Sequence, residues 1–289
     1  MIASPFTNTA PSGAIQFTAP ADNSVTLDPV STVRLTQFTD LHLYGDENGR
    51  LRGVNTLASL SAALEHARQG PWPPDALLVT GDLVQDDPGG YAHFRRLFGS
   101  LSLPVLCLPG NHDHPETMRR ELSRSPFVTG GHADLGLWRI VLLDSVVPGC
   151  AGGTLSAASL AALDTVLAQA GNRPALVCLH HQPVPMASRW LDQVGLTHAA
   201  DFLAVIDRHP NVRGVVWGHV HQSFDTLRNG VRLLATPSTC AQFRPRSEQF
   251  AVDERPPGYR MLQLKPDGSI VTEVIWTNVS PARSAVSVA

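Results

Sequence analysis

The chain has 289 residues and a mass of 31.1 kDa, which is enough for one large domain or two small ones. Hydrophobic residues make up 43% and charged residues only 16%, a composition that excludes a largely disordered chain. The net charge is −3 and the pI is near 6.4, so the chain lacks the basic footprint of a nucleic-acid-binding protein, and no nucleic-acid partner is expected.

The first predicted elements follow a polar N-terminal segment. Residues 1–31 are rich in Ala, Pro, Ser, Thr and Asn without a clear period, and we interpret them as a flexible extension. An apolar, β-prone run predicts a strand over Val33–Thr39, and a polar loop follows at 46–50. Asn55 is then the predicted N-cap of a helix. Apolar residues recur at helical spacing in that helix: Leu57, Leu60, Leu64 and Ala67.

Strands and helices alternate over the middle of the chain. The predicted pairs are Ala76–Thr80 with Tyr91–Phe98, Val105–Leu108 with Glu116–Leu122, Trp138–Leu143 with a helix that Ser156 opens, and Ala175–Leu179 with a helix around Phe202–Ile206. Such alternation predicts β-α-β units with parallel strands.

The C-terminal third is predicted to be rich in strands and without helices. Asn229–Gly230 separates two β-prone runs after Val215–Trp217 and predicts a two-residue hairpin turn, and residues 266–268 (Pro-Asp-Gly) predict a second hairpin. The chain has no low-complexity linker and no internal repeat after the extension. We therefore expect one mixed α/β domain with two sheets over residues 32–279, followed by a tail at 280–289.

Cysteine usage and hydropathy favour a cytoplasmic protein without a membrane partner. No apolar run approaches the roughly 20 residues that cross a bilayer, and the N-terminus lacks the basic start and apolar core of a signal peptide. The four cysteines form no Cys-x-x-Cys pair, which favours reduced, mostly buried thiols: Cys107, Cys150, Cys178 and Cys240.

Seven residues of metal-ligating types follow apolar runs in a fixed order: Asp40, His42, Asp82, Asn111, His180, His219 and His221. A strand that stops at a carboxylate or an imidazole places that ligand at the edge of a sheet, where a cation can hold several of them together. Each short motif alone is also typical of a surface turn, so the prediction depends on their order and placement. Oxygen and imidazole ligands without thiolates favour Mn, Fe or Zn over a structural zinc site of the cysteine type.

Three positions carry finer expectations. The Asp82 carboxylate has two oxygens and can bridge two cations roughly 3.5–4 Å apart. His112, beside Asn111, can face a substrate while Asp113 holds its ring, although an Asx-type turn with solvated charges is the alternative. Spacing alone does not decide between His180 and His181; the position directly after the strand favours His180 as the ligand, with His181 an exposed neighbour or a supporting group.

These motifs (Asp-x-His, Gly-Asp, Gly-Asn-His-Asp, a lone His and Gly-His-x-His) resemble the calcineurin-like metallophosphoesterases over about residues 33–276. The resemblance implies a four-layer α/β/β/α sandwich of two mixed β-sheets flanked by helices. It also implies two metal sites that share Asp82. One site would consist of Asp40, His42, Asp82 and His221, and the other of Asp82, Asn111, His180 and His219.

A narrower resemblance is to the bacterial class III cyclic nucleotide phosphodiesterases, and it includes segments outside the metal motifs, namely WLDQVGL (190–196) and LLATPSTCAQF (233–243). It implies hydrolysis of 3′,5′-cyclic AMP to 5′-AMP with two divalent ions per chain, Fe²⁺ or Mn²⁺ ahead of Zn²⁺, and hence a lower cellular level of cyclic AMP. The N-terminal extension departs from this pattern.

The mechanism we expect is attack by hydroxide on phosphorus opposite the 3′ oxygen, with His112 as the proton donor to that oxygen and Asp113 orienting the ring. The expected substrate contacts are His42, Asp82, Asn111, His112 and His221. A broad phosphodiesterase or nuclease, or a phosphomonoesterase, would use the same ligands, and a metal-free scaffold would have lost some of them. The sequence leaves a monomer and a homodimer equally open.

Overall fold

The computed structural model describes residues 31–277. The predicted tail at 280–289 and, apart from Ser31, the predicted extension at 1–31 lie outside the described residues. The strands are β1 Val33–Phe38, β2 Arg50–Leu51, β3 Val54–Asn55, β4 Ala76–Thr80, β5 Val105–Leu108, β6 Phe127–Thr129, β7 Gly131–Leu135, β8 Trp138–Leu142, β9 Gly153–Thr154, β10 Ala175–Cys178, β11 Leu196–Thr197, β12 Val212–Trp217, β13 Phe224–Arg228, β14 Val231–Ala235, β15 Gln242–Phe243, β16 Val252–Asp253, β17 Gly258–Leu264 and β18 Ile270–Trp276. The helices are α1 Thr56–Arg68, α2 Gly90–Gly99, α3 Pro115–Glu121, α4 Ala157–Gln169, α5 Arg189–Asp192 and α6 Ala199–Arg208.

Most of these strands form two mixed six-stranded sheets. The first has the order β18-β17-β1-β4-β5-β6, and the second has the order β13-β14-β12-β10-β8-β7. The neighbours β1, β4, β5 and β6 run parallel, as do β14, β12, β10 and β8, while β17, β18, β13 and β7 are antiparallel additions. The predicted parallel pairing is therefore confirmed.

Alternate residues of the central strands pack into different layers. In β4, Leu77 and Val79 face the apolar core that contains residues of α1, α2 and α3, whereas Leu78 joins a core shared by the two sheets. In β10, Val177 faces the core that contains residues of α4 and α6, and Leu176 faces the other sheet. Burial of both faces explains the continuous apolar runs of these strands. The predicted α/β/β/α sandwich is confirmed.

Local signals account for several element boundaries. Asn55 and Ser156 cap α1 and α4, since their side chains accept hydrogen bonds from the backbone N–H groups of Ala58 and Ser159. Asn229 and Gly230 both have positive φ, as a two-residue hairpin turn between β13 and β14 requires.

Two expectations about the strands were incomplete. The second predicted hairpin does join β17 to β18, but five residues, Lys265–Ser269, separate the strands. The strands β6 and β7 were not predicted, because β6 has only three residues and β7 lacks a continuous apolar run.

The four cysteines are free thiols; Cys150 is exposed and the other three are buried, as predicted for most of them. Within residues 31–277, none of the helices is long and apolar enough to cross a membrane.

Candidate metal centre

The predicted ligands lie at the carboxyl ends of parallel strands from both sheets. Asp40, Asp82, His180 and His219 each come two residues after the end of β1, β4, β10 and β12, and Asn111 comes three residues after β5. Because neighbouring parallel strands end at the same edge of a sheet, the fold gathers these side chains at one place. The expectation that these side chains gather at the edge of the sheets is confirmed.

The backbone at five of these residues is left-handed, with φ of 53° at Asp40, 50° at His42, 50° at Asp82, 65° at His219 and 47° at His221. Such a conformation costs a residue other than glycine on the order of 1–3 kcal/mol, so the surrounding structure must impose it. Asp40 and His42 therefore converge because both leave the extended conformation, and not because the strand continues through them.

Hydrogen bonds between the loops hold this geometry. The backbone N–H of Asp40 donates to the Gly81 carbonyl, and the N–H of His42 donates to the Asp82 carbonyl. The N–H of His219 donates to both oxygens of the Asp40 carboxylate, at 3.0 and 3.1 Å. The loops after β1, β4 and β12 consequently fix one another.

One half of the cluster surrounds His221. Its Nε2 lies 3.3 Å from Asp40 Oδ1 and 3.1 Å from His42 Nε2, and His42 Nε2 lies 3.8 Å from Asp82 Oδ2. Nδ1 of His221 contacts the Ala241 carbonyl at 2.6 Å and must carry the hydrogen, because a carbonyl only accepts. The lone pair of His221 Nε2 is thereby directed into the cluster.

The other half surrounds His180. Its Nδ1 donates to the Thr80 carbonyl at 2.8 Å, and its Nε2 lies 3.2 Å from Asn111 Oδ1 and 3.4 Å from Asp82 Oδ2. The His219 ring packs against the His180 ring with 5.0 Å between centroids. Since the same Asp82 oxygen faces both His42 and His180, Asp82 is the group common to both halves.

Electrostatics puts most of these groups in a state that can bind a cation. Burial lowers the pKa of His42 to about 4 and that of His219 to about 3, so both rings are neutral. Burial alone would raise the pKa of Asp82, but the neighbouring His180 and His42 outweigh it and hold that pKa well below its usual value. His180 behaves differently: burial would lower its pKa, yet the Asp82 and Asp40 carboxylates raise it to about 9. The carboxylates around His180 thus stabilise a positive charge at this place.

Divalent cations fit this donor set. His42 Nδ1 and His219 Nε2 are buried and have no hydrogen-bond partner among the described residues, a costly arrangement that a cation at the His219 nitrogen would relieve. Carboxylate and imidazole atoms of neighbouring residues lie within 4.8 Å of one another in overlapping groups. These groups are Asp40, His42 and His221; Asp40, Asp82 and His180; His42, Asp82 and His112; and His180, His181 and His219.

His112 and Asp113 diverge, which corrects one expectation. His112 Nδ1 lies 3.0 Å from Asp86 Oδ2 and 2.8 Å from Gln85 Nε2. The buried Asp113 carboxylate instead accepts hydrogen bonds from the Tyr91 hydroxyl and from the backbone N–H groups of Leu83, Val84 and Gly110. The prediction that Asp113 holds the His112 ring is wrong because the tight turn at 110–113 directs the two side chains apart. Burial, followed by the charge of Asp82, raises the pKa of Asp113 to about 7.

His181 is not the exposed neighbour that was one alternative for it, and its role as a supporting group stays a prediction. The side chain is buried, its Nδ1 lies 2.8 Å from Ser145 Oγ, and its ring centroid lies 4.8 Å from that of His219. The position of His181 in the strand-end segment was a signal for burial, but nothing in the sequence indicated Ser145 as its partner.

The segment 237–243 supports the His221 side of the cluster. Ser238 Oγ donates to the Asp40 carbonyl at 2.7 Å, and the Phe243 ring stacks on the His221 ring with centroids 4.0 Å apart. The Trp190 ring packs edge-on against Phe243. The two segments that carried the narrower resemblance therefore meet behind one ligand, a contact that periodicity could not indicate.

Gly81 and Gly110 permit the close approach of the loops. Gly81 has a φ of 96°, and a Cβ atom there would overlap the His180 ring. A Cβ atom at Gly110 would overlap the Asp82 carboxylate. Glycine is thus required beside the ligands in both motifs.

Comparisons with known proteins agree with this geometry. A family model described as calcineurin-like phosphoesterase matches residues 33–223. The chain is 40% identical over 245 residues to the 3′,5′-cyclic adenosine monophosphate phosphodiesterase CpdA of Pseudomonas aeruginosa, covering 84% of this chain and 90% of that protein. It is 41% identical over 244 residues to CpdA of Escherichia coli (strain K12), covering 84% and 89%. A dimetal phosphatase from Danio rerio shares the fold with a TM-score of 0.59 at 15% identity, covering 86% of this chain and all of that one.

Proposed function

The chain belongs to the calcineurin-like phosphoesterase family, and from that premise we propose that it hydrolyses 3′,5′-cyclic AMP to 5′-AMP at the cluster of seven ligands. The observation that carries this proposal is the position of Asp82, whose Oδ2 faces His42 of one half and His180 of the other. Two complete ligand sets around one shared carboxylate are what a dinuclear phosphoesterase needs.

We assign one metal site to each half of the cluster. Asp40, His42, Asp82 and His221 would hold one cation, and Asp82, Asn111, His180 and His219 would hold the other. Oxygen and imidazole donors suit Mn, Fe and Zn alike, and the resemblance to the cyclic nucleotide phosphodiesterases makes Fe²⁺ or Mn²⁺ our first assignment and Zn²⁺ the second. When bound, two such cations supply a hydroxide nucleophile near neutral pH and neutralise charge on the phosphate.

Side chains of the protein surround the phosphate in this proposal, and one of them protonates the leaving oxygen. The proposed substrate contacts are His42, Asp82, Asn111, His112 and His221. Hydrolysis adds hydroxide to phosphorus and breaks the bond to the 3′ oxygen, which leaves as an alkoxide and needs a proton. His112 is the candidate donor, since its side chain is one-third exposed beside Asn111.

The structure suggests a different partner for that donor than the sequence did. Asp86, at 3.0 Å from His112 Nδ1, is placed to orient the ring. Asp113 acts one step further away as a positioning residue, because it fastens the backbone at Gly110 to that at Leu83 and Val84. We propose these two roles in place of direct orientation by Asp113.

The test is an assay of metal-reconstituted protein against cyclic AMP, cyclic GMP, 2′,3′-cyclic AMP and the monoester 4-nitrophenyl phosphate. We expect turnover of cyclic AMP with 5′-AMP as the product, and we further expect the protein to act in the cytoplasm and to lower the cyclic AMP level there. Turnover of the monoester alone would overturn the assignment in favour of a phosphomonoesterase. A protein that binds no metal and turns over none of the four would be a scaffold.

A further inference from the structure

A cavity of about 380 Å³ opens beside the metal centre, and Asn111 and His112 form part of its wall. Its other wall is the loop 146–151, which includes Val146, Pro148 and Cys150. We propose that this cavity, called here the nucleoside cavity, receives the ribose and base of the cyclic nucleotide. The proposal rests on the proposed function and adds to it the place where the substrate is recognised.

The position of the proton donor decides on which side the nucleoside lies. In phosphoryl transfer the attacking and leaving oxygens are roughly in line through phosphorus, so the leaving oxygen points away from the nucleophile. His112 can protonate that oxygen only if it lies next to it. Because the 3′ oxygen is attached to the ribose, the whole nucleoside extends toward the His112 side, where the cavity lies.

The size and chemistry of the cavity suit a nucleoside. Ligand pockets commonly measure about 300–1,000 Å³ and combine apolar walls with a few polar groups. Pro115, Val146 and Pro148 give apolar surface for the faces of a base, and Asp86 and His114 give polar groups near its edge or near the ribose hydroxyl. The lining therefore matches an uncharged heterocycle joined to a sugar.

An ion pair and a hydrogen bond connect the two walls of the cavity. Arg119 in α3 forms an ion pair with Asp144 at 3.5 Å, and the Asp144 carboxylate also accepts a hydrogen bond from the Val146 N–H at 3.0 Å. The helix that begins with Pro115 is thus linked to the loop opposite. This link joins the two walls of the cavity, although an ion pair whose arginine is half exposed contributes only about 0–1 kcal/mol.

A second surface could stack on a base, but it lies on the His221 side of the cluster and not on the His112 side. Trp190, Phe243 and Phe250 form an aromatic cluster, and the Arg52 guanidinium lies 4.5 Å above the Phe250 ring. One face of the Phe243 ring stacks on the His221 ring. None of the three aromatic residues lines the cavity beside His112. We therefore assign the aromatic cluster to the support of His221.

Cys150 provides a direct test, because it is the exposed one of the four cysteines, all of which the structure describes, and it lines the cavity. The unmodified sequence, reconstituted with metal, would be treated with N-ethylmaleimide, and the rate of adduct formation followed by intact mass. At 5′-AMP ten times above its inhibition constant against cyclic AMP turnover, we expect alkylation to slow about tenfold, since only free protein reacts. Inorganic phosphate at the same multiple should slow it far less, because phosphate fills the metal centre alone.

The Cys150→Ser variant is the control that assigns the adduct, and it should gain no label. Equal protection by phosphate and 5′-AMP, or protection by neither, in a protein that hydrolyses cyclic AMP would overturn the nucleoside cavity. A Phe250→Ala variant with a KM for cyclic AMP raised at least tenfold, together with unprotected Cys150, would place the base on the aromatic cluster instead. In a protein without cyclic AMP turnover, 5′-AMP would instead be titrated directly against the alkylation rate, and saturable protection would support the cavity and overturn the proposed reaction.

Discussion

Replacement of His112 by alanine separates its proposed chemical role from a role in binding. The ring lies outside the two proposed ligand sets and contacts Asp86 and Gln85. The backbone N–H of His112 donates to Asp82 Oδ1 at 2.9 Å and survives the substitution, while its ring meets the proposed ligand His42 only edge-on, with 5.3 Å between the ring centroids. His112→Ala should therefore retain both metal ions and the orientation of Asp82.

The magnitude follows from what the variant loses. A positioned proton donor contributes typically about 10²–10⁴-fold to the rate, which corresponds to about 3–5 kcal/mol of activation free energy. The His112 side chain is 33% exposed, so its removal leaves no buried cavity and little loss of stability. We expect kcat for cyclic AMP to fall within that range while the melting temperature stays nearly constant.

The assay compares two leaving groups in the same variant. The ribose alkoxide of cyclic AMP needs a proton, whereas the nitrophenolate of bis(4-nitrophenyl) phosphate is a stable anion that leaves without one. The rate loss should therefore be large for cyclic AMP and about tenfold or less for the nitrophenyl ester. His198→Asn is a matched control, since His198 is exposed at the start of α6 with a left-handed φ that asparagine tolerates. An equal loss on both substrates would refute proton donation and point to a binding role for His112.

Four further outcomes are expected. Asp82→Ala should abolish turnover and the binding of both metals, as measured by kcat and elemental analysis. The control Asp201→Asn, on the exposed surface of α6, should change neither quantity. Retained activity in Asp82→Ala would contradict the shared carboxylate. Asp86→Asn should lower kcat for cyclic AMP about 10- to 100-fold with unchanged metal content, because the His112 ring loses its charged partner, and an unaltered kcat would return the orienting role to another group. Leu78→Ala, between the two sheets, should lower the free energy of unfolding by about 2–5 kcal/mol in urea titrations, against less than about 0.5 kcal/mol for Leu227→Ala, which is 71% exposed. Removal of metal by a chelator should lower the melting temperature, since an ion present at 100 times its Kd stabilises the native state by about 2.7 kcal/mol, and an unchanged transition would argue against tight binding at the cluster.

The residues that line the proposed nucleoside cavity could not be predicted from sequence patterns. Pro115 belongs to the helix after β5, whereas Val146 follows β8, and neither position carries a periodic or motif signal for substrate contact. The Arg119–Asp144 ion pair joins these two segments, which the sequence does not mark as neighbours. Only the packing of the second sheet against the first places that loop beside His112.

The sequence by itself determined the ligand types and their place at the edge of the sheets. Apolar strands that are buried on both faces leave a strong signal, and the residue two positions after such a strand must lie at its carboxyl end, so Asp40, Asp82, His180 and His219 could be predicted to meet. The types of these side chains also favour Mn, Fe or Zn as the cation. All of this follows from local pattern and the rules of parallel pairing.

The tertiary structure alone decided which way each ring points and what holds it. Asp86 and not Asp113 reaches His112, Ser145 contacts His181, and the Ala241 carbonyl fixes the tautomer of His221. Each of these is a contact between loops far apart in sequence, and side-chain directions in left-handed turns follow no fixed period. The proposed ligands could therefore be predicted from the chain, whereas the partner of the proposed proton donor and the proposed nucleoside cavity depend on how the loops pack.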